Sequence, residues 1–578
     1  MLFLLMMFGT LLEVAGIGML PVFVSAVSDP SFVLDNEWLG PVAATLGIET
    51  SRDLLVFGGI ALVSIFFVKT VYLIWFNYIK TKFVKNRFAL ISNKLFETYL
   101  SAPYTFHLNR NTAELIRNVT HETRYVATFI MLPFLTILMD SVMVIGIFLL
   151  LMVVEPVVTL VSFLIIGGGG GLVLKLIKGR LNYYGKSASK ERKRMIQGVT
   201  EGIGGYKDVT VMNRQKRFLE RFRGYVANMT RAEIFKSVSI YASRPVIELI
   251  AVAGMVFIAG FMLFHGREMG AIIPMLALFG AAVVRLIPSV SHIITKISNL
   301  RYYVHSLDSV HRDLYSMREH SAAVRTENRK RDKLSFVREI TLRNVCYRYP
   351  GATDEALKNV SLSIPKGSAV GFVGESGAGK STIVDVILGL LDPQEGEVLA
   401  DGTDIHRHKR AWQNNVGYIP QFIYLADDTI RNNIAFGLSD EEIEEKKVTA
   451  AVKAAQLDAL ITDLPTGLDA MIGENGERLS GGQRQRIGIA RALYNDPAVL
   501  IMDEATSALD NATEKQVMQA IEALKGERTI IMIAHRLTTV ENCDMLYLMR
   551  DGKIIERGKY SDLLKGDEEF NKMSLKLN

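Results

Sequence analysis

The chain has 578 residues, 49% hydrophobic yet 22% charged, with a mean hydropathy of +0.21 and a formal net charge of +6. A single soluble core is excluded at this length and apolar content, so a membrane part and a water-soluble part share the chain. The only cysteines, Cys346 and Cys543, exclude a disulfide framework and a CxxC metal site, and the positive surplus gathers in loops beside apolar runs, which excludes a nucleic-acid patch.

The opening MLFLLMMFG has no basic n-region and no small-residue cleavage site, so it predicts a membrane helix that stays. Six apolar runs follow one another, Leu2–Val27, Leu54–Ile79, Phe129–Val154, Val157–Ile177, Val246–Phe264 and Ala271–Ile294. Each has the ~20 residues that a bilayer-spanning helix needs. Lys and Arg crowd the loops between spans two and three and between spans four and five, and the opposite loops are nearly bare. Positive charge stays inside, so both termini and both basic loops are predicted to be cytoplasmic. Segments such as NKLFETYL and KRFLERFRGYVANM carry the helical pattern on into those loops, with reversals expected at Pro103–Arg110 and Gly204–Arg214.

Ionisable residues within spans are functional candidates because lipid burial is costly. Lys69 and Arg285 each lie about 22 Å from the outer edge at 1.5 Å per residue, and two cations at one depth suit a cavity for an anionic group. Structural pairing with Asp140 or Glu13 is the competing reading. The run Gly167–Gly171 in span four reads as a close-packing stretch.

From Val337 the period changes to that of strands, and VSLSIPKGSAVGFVG leads into Gly374, Glu375, Ser376, Gly377, Ala378, Gly379, Lys380 and Ser381, followed by Thr382 and an apolar helix. This is G-x-x-x-x-G-K-[ST] between a strand and a helix: backbone N–H groups face phosphates, Lys380 neutralises the β- and γ-phosphates, and Ser381 ligates Mg²⁺. Farther on, LSGGQ (Leu479, Ser480, Gly481, Gly482, Gln483) opens a second helix, and the buried strand AVLIMD ends in Asp503, a Mg²⁺ ligand candidate, followed by Glu504, which can polarise an attacking water.

P-loop, LSGGQ and LIMDEATSALD together resemble the ABC ATPase cassette. The resemblance implies that LSGGQ meets the γ-phosphate held by a second cassette, so that two identical chains enclose two ATP molecules. It also implies that Tyr349 stacks on adenine, that Gln421 reaches Mg²⁺ and the attacking water, and that His535 contacts the γ-phosphate. Asp510 would face the dimer partner and Gly473–Arg478 the inner loops. The order of parts resembles ABC exporter half-transporters: an all-α transmembrane domain of six helices over 1–320, a linker over 321–336 and an α/β nucleotide-binding domain over 337–578. Their inner loops end in coupling helices.

Ala281–Tyr303 (AAVVRLIPSVSHIITKISNLRYY) and EVAGIGMLPVFVSAVSDPSF resemble the lipid-linked oligosaccharide flippases of bacterial protein glycosylation. That resemblance implies a polyprenyl-pyrophosphate-linked glycan, carried from the inner to the outer leaflet of the cytoplasmic membrane. The alternatives are other lipids (lipid A-like), hydrophobic drugs or peptides, or an ATP-gated channel or regulator on the same scaffold. Relatives usually carry an amphipathic elbow helix before the first span, whereas this sequence opens directly on an apolar run.

Overall fold

The computed structural model describes residues 4–12, 16, 23, 50–154, 156–264, 269–316, 333–503, 511–533, 536, 539–566 and 570, with the backbone alone at 51, 150–151, 153–154, 158, 258, 261–262, 269–282, 285, 316, 511–513 and 566. The chain divides into two compact units, Met1–Ala102 with Arg110–Ala322, and Pro103–Asn109 with Ala323–Asn578.

Long helices make the first unit: α1 (Ser51–Leu100), α3 (Leu132–Val154), α4 (Pro156–Gly204), α6 (Gln215–Phe264) and α7 (Met269–Ser316), with α5 (Tyr206–Val211) as a short helix between rods, while the short α2 (Tyr104–Leu108) falls in the second unit. Thr50 caps α1 by accepting the Asp53 N–H. Four stretches are long and apolar enough to cross a membrane among the described residues: Arg52–Leu100, Thr112–Leu149, Thr159–Gly204 and Gln215–Phe257. The expected first span falls largely outside the described residues, and the expected sixth lies on α7. Both expected reversals carry a short helix, α2 after Pro103 and α5 after Gly205.

Close approach holds the rods together. A Cβ on Gly169 would lie 2.6 Å from Ile250 of α6, so this glycine of the Gly167–Gly171 run does let helices meet, whereas Gly167, Gly168 and Gly171 face open space. Farther along α4 a Cβ on Gly185 would lie 2.3 Å from the Tyr302 carbonyl oxygen, so α4 rests on the backbone of α7. Beside that contact the Lys236 ammonium of α6 donates to Tyr303 Oη at 3.2 Å and lies within 6 Å of the Phe129, Tyr302 and Tyr303 rings, while Arg192 of α4 covers Tyr125 at 4.5 Å. Phe129 belongs to a π-helical turn (Ala127–Met131) ahead of α3 and stacks on Tyr303 at 4.2 Å. A second π-turn, Asn118–Glu122, buries Asn118, which donates to Asp313 of α7 at 3.0 Å.

The second unit is α/β. One sheet runs β2-β1-β4-β5 and is antiparallel: β1 Glu339–Tyr347, β2 Leu357–Pro365, β4 Glu395–Ala400 and β5 Thr403–Asp404. The other runs β10-β9-β3-β8-β7-β6, parallel except at its β9–β10 edge: β3 Ala369–Val373, β6 Val416–Ile419, β7 Val499–Asp503, β8 Thr529–Ile533, β9 Met545–Arg550 and β10 Lys553–Gly558. Strands β3 and β8 are buried at every position, which is why they read as continuous apolar runs. Helix α8 (Lys380–Ile387) packs Ile383, Val384, Val386 and Ile387 into the core that the two sheets share.

Candidate nucleotide site

The loop from β3 to α8 can be built only with glycine at its two ends. Gly374 has φ 151° and a Cβ there would lie 2.3 Å from the Met549 carbonyl; Gly379 has φ 102° and its Cβ would lie 2.8 Å from the Ala356 carbonyl. The loop rims a cavity of about 300 Å³ lined by Tyr349, Ser376, Gly377, Lys380, Ser381 and Thr382. Lys380 is 5% exposed and its ammonium donates to the Gly374 and Glu375 carbonyls at 2.8 and 2.9 Å, which draws the loop round its charge. Tyr349 shares a hydrogen bond with Thr382 (3.2 Å) and stands edge-on to Tyr347, so its ring is held at the mouth. Glycine backbone, a helix N-terminus and a buried ammonium fit a triphosphate.

Register aligns the other half of the site. Phe372 of β3 and Asp503 of β7 both pair with Ile533 of β8, so Asp503 stands level with the start of the P-loop, two strand spacings (~10 Å) away. Ser381 and Asp503 supply the hydroxyl and carboxylate oxygens that suit Mg²⁺. Gln421 follows β6 in an exposed loop at the same end of the sheet. Two groups of this region escaped the sequence reading. Asp385, on α8, is raised to about 6 by burial and by the nearby Asp503 carboxylate. The Tyr418 phenol of β6 is raised by burial and by the Asp503 and Asp385 charges, and it donates a hydrogen bond to Asp503. A carboxylate inside the apolar helix TIVDVILGLL was the available signal for Asp385; Tyr418 had none, because its partner lies on another strand. Tyr104 of α2, which belongs to this same unit, is raised by burial and by the charges of Asp385, Tyr349 and Asp503.

LSGGQ opens α9 (Gly481–Leu493) through a capping box. Ser480 Oγ accepts the Gln483 N–H at 3.2 Å, and Gln483 Oε1 accepts the Ser480 N–H at 2.8 Å. The first helical backbone bond is Arg484 N–H to Ser480 at 3.0 Å, so the Gly481 and Gly482 N–H groups precede the ladder and point out of the helix end. Glu474–Gly476, within Gly473–Arg478, forms a 3₁₀ turn. Glu504, Asp510 and His535 lie outside the described residues.

In the first unit Lys69 is buried on α1 with its ammonium 5.1 Å over Phe66. The backbone of Arg285 lies on α7, and its side chain is outside the described residues, as is Glu13. Asp140 is buried, with its carboxylate 4.0 Å from His292 Nδ1 of α7.

Residues 3–286 match the family described as ABC transporter transmembrane region, and residues 357–507 match ABC transporter. The ATP-dependent lipid A-core flippase of Salmonella paratyphi A is 32% identical over 476 residues, 82% of this chain and 80% of that protein. The flippase of the same description from Escherichia coli K12 is 32% identical over 477 residues, with the same shares. A solved bacterial Atm1-family ABC exporter with ATP bound superposes with a TM-score of 0.75 at 23% identity, covering 99% of this chain and 97% of that one. With one helical membrane region followed by one α/β ATPase region, the chain belongs to the ABC transporters, as a half-transporter with the exporter fold.

Proposed function

We propose that two copies of this chain form an ATP-driven flippase that carries a phosphorylated, lipid-anchored substrate from the inner to the outer leaflet of the cytoplasmic membrane. The observation that carries the lipid class is 32% identity to the ATP-dependent lipid A-core flippases across 80% of their length. It favours a lipid A-like cargo, one of the alternatives that the sequence leaves, over the lipid-linked oligosaccharide.

In this reading the P-loop and the α8 N-terminus hold the triphosphate, and Lys380 turns from its two carbonyls to the phosphates. Tyr349 carries the adenine. Mg²⁺, when bound, neutralises phosphate charge, and Ser381, Asp503 and Gln421 are the residues that would hold it. Glu504 orients the water that attacks, and His535 and the partner's LSGGQ complete the site. Both basic inner loops, and both termini, are cytoplasmic, with α2 and α5 as the coupling helices. Lys69 and Arg285 serve the phosphate of the cargo.

A polyprenyl-pyrophosphate-linked oligosaccharide is the second reading, favoured by the resemblance over Ala281–Tyr303. Both cargoes present phosphate on a lipid anchor. Reconstitution into liposomes tests them together: ATP-dependent loss of inner-leaflet label and stimulated hydrolysis are expected with a lipid A-type phosphoglycolipid. Stimulation by the polyprenyl-pyrophosphate glycan alone would select the second reading. Stimulation by uncharged hydrophobic drugs alone would overturn both.

A further inference from the structure

The role of Tyr418 lies in how β6 and β7 share a face. In their parallel register Tyr418 pairs with Ile501 and Ile419 with Met502. Side chains alternate along a strand, so Tyr418, Ile501 and Asp503 lie on one face. That is the face covered by α8, where Ile501, Val384 and Ile387 join one core and Tyr418 packs on its edge. There the Tyr418 hydroxyl donates to the Asp503 carboxylate, and Asp385 brings a second acid close to both.

The chemistry of such a carboxylate sets a requirement. A carboxylate has two oxygens and a soft terminal torsion, so a metal ligand needs something to fix which oxygen faces the ion. Asp385, the second acid nearby, supplies no such hold, since an ionised carboxylate has no donor. A buried phenol donor supplies it: it binds the charged form and holds one oxygen, leaving the other for the cation.

We propose that Tyr418 is a positioning residue for Mg²⁺, clamping one oxygen of Asp503 through its phenol hydrogen bond. The proposal rests on the reading of Asp503 as a metal ligand.

The test uses the full-length protein in detergent and equilibrium binding of a fluorescent, slowly hydrolysed ATP analogue. Binding is measured first in EDTA and then across a Mg²⁺ titration. Tyr418→Phe keeps the ring and its packing and removes only the hydroxyl. The expected result is unchanged affinity in EDTA, unchanged thermal unfolding without metal, and a Mg²⁺ midpoint raised by about tenfold, the scale of one lost hydrogen bond to a charged group. Asp503→Asn is measured beside it and is expected to lose the Mg²⁺-dependent gain in affinity. If Asp503→Asn keeps that gain, the metal-ligand reading of Asp503 fails. If Asp503→Asn loses it while Tyr418→Phe titrates like the parent protein, the positioning role is overturned. Equal losses in EDTA and in Mg²⁺ for Tyr418→Phe would also overturn it, since they mark a structural role.

Discussion

Lys380 carries the most concentrated charge chemistry of the nucleotide site, since its ammonium is buried and bound to two carbonyls of its own loop. Lys380→Met keeps the length and removes the charge, and is expected to lower ATP turnover by about 100-fold or more, the scale of losing a preorganised donor to the transferring phosphoryl group. A phosphate-release assay on the purified protein checks it; turnover within threefold of the parent would contradict the role. The two cysteines offer a second residue-level contrast. Burial pushes the Cys543 thiol up to about 12, with a small opposing pull from Lys525, so at pH 8 the thiolate fraction is on the order of 10⁻⁴. Maleimide is expected to label the partly exposed Cys346 at pH 8 while Cys543 stays unreacted until denaturant is added. Raising the pH speeds Cys543 about tenfold per unit, because each unit below that pKa multiplies the thiolate tenfold. Labelling of both at one rate, followed by mass spectrometry, would contradict its burial. The P-loop was legible because loop, lysine and helix are contiguous in sequence; Tyr418 was not, because what it touches is set by strand register, and Asp385 showed only as an acid inside an apolar helix.

Among elements, the long rods were legible from apolar length and from the helical pattern beyond it, and the short helices at their reversals from Pro103 and Gly205. The π-turns were not, since Asn118–Glu122 and Ala127–Met131 have the same local composition as the helix around them. What they do is re-aim side chains: Asn118 toward Asp313, Phe129 toward Tyr303. The contact of α4 on α7 is a place to test the packing. At Gly185 a methyl group would meet backbone, which cannot turn aside, so Gly185→Ala is expected to cost about 1–3 kcal/mol. Lys236→Met should cost less, about 1 kcal/mol, because the stem still packs and what is lost is the charge over three rings and its hydrogen bond to Tyr303. Thermal unfolding in detergent ranks the two. The reverse ranking would mean that the charge, and not the close approach, holds these helices.

For the whole molecule, one chain carries one P-loop and one LSGGQ, so a site shared between two chains has a distinctive genetics. Lys380→Met and Ser480→Arg are each expected to silence a homodimer. Co-expressed with separate tags and purified through both, they leave one site with both defects and the other with none. That heterodimer is expected to recover up to about half the parent turnover where the sites fire independently. No recovery, with the heterodimer intact by size, would place both motifs of a site on one chain or require both sites for any turnover. The division of the chain was legible from hydropathy alone. The cargo was not: the matched relatives are lipid A-core flippases, whereas the resemblance over Ala281–Tyr303 implies a glycan.

The reciprocal bonds of Ser480 and Gln483 bear on how fast such a machine can cycle. A helix end that is satisfied by its own side chains stays folded when nothing is bound to it. In the proposed dimer, the surface that meets the partner's nucleotide would therefore exist before the partner arrives, with no ordering entropy lost each time the cassettes close. Opening likewise leaves no frayed turn behind, so the rhythm of closure and release is left to the nucleotide.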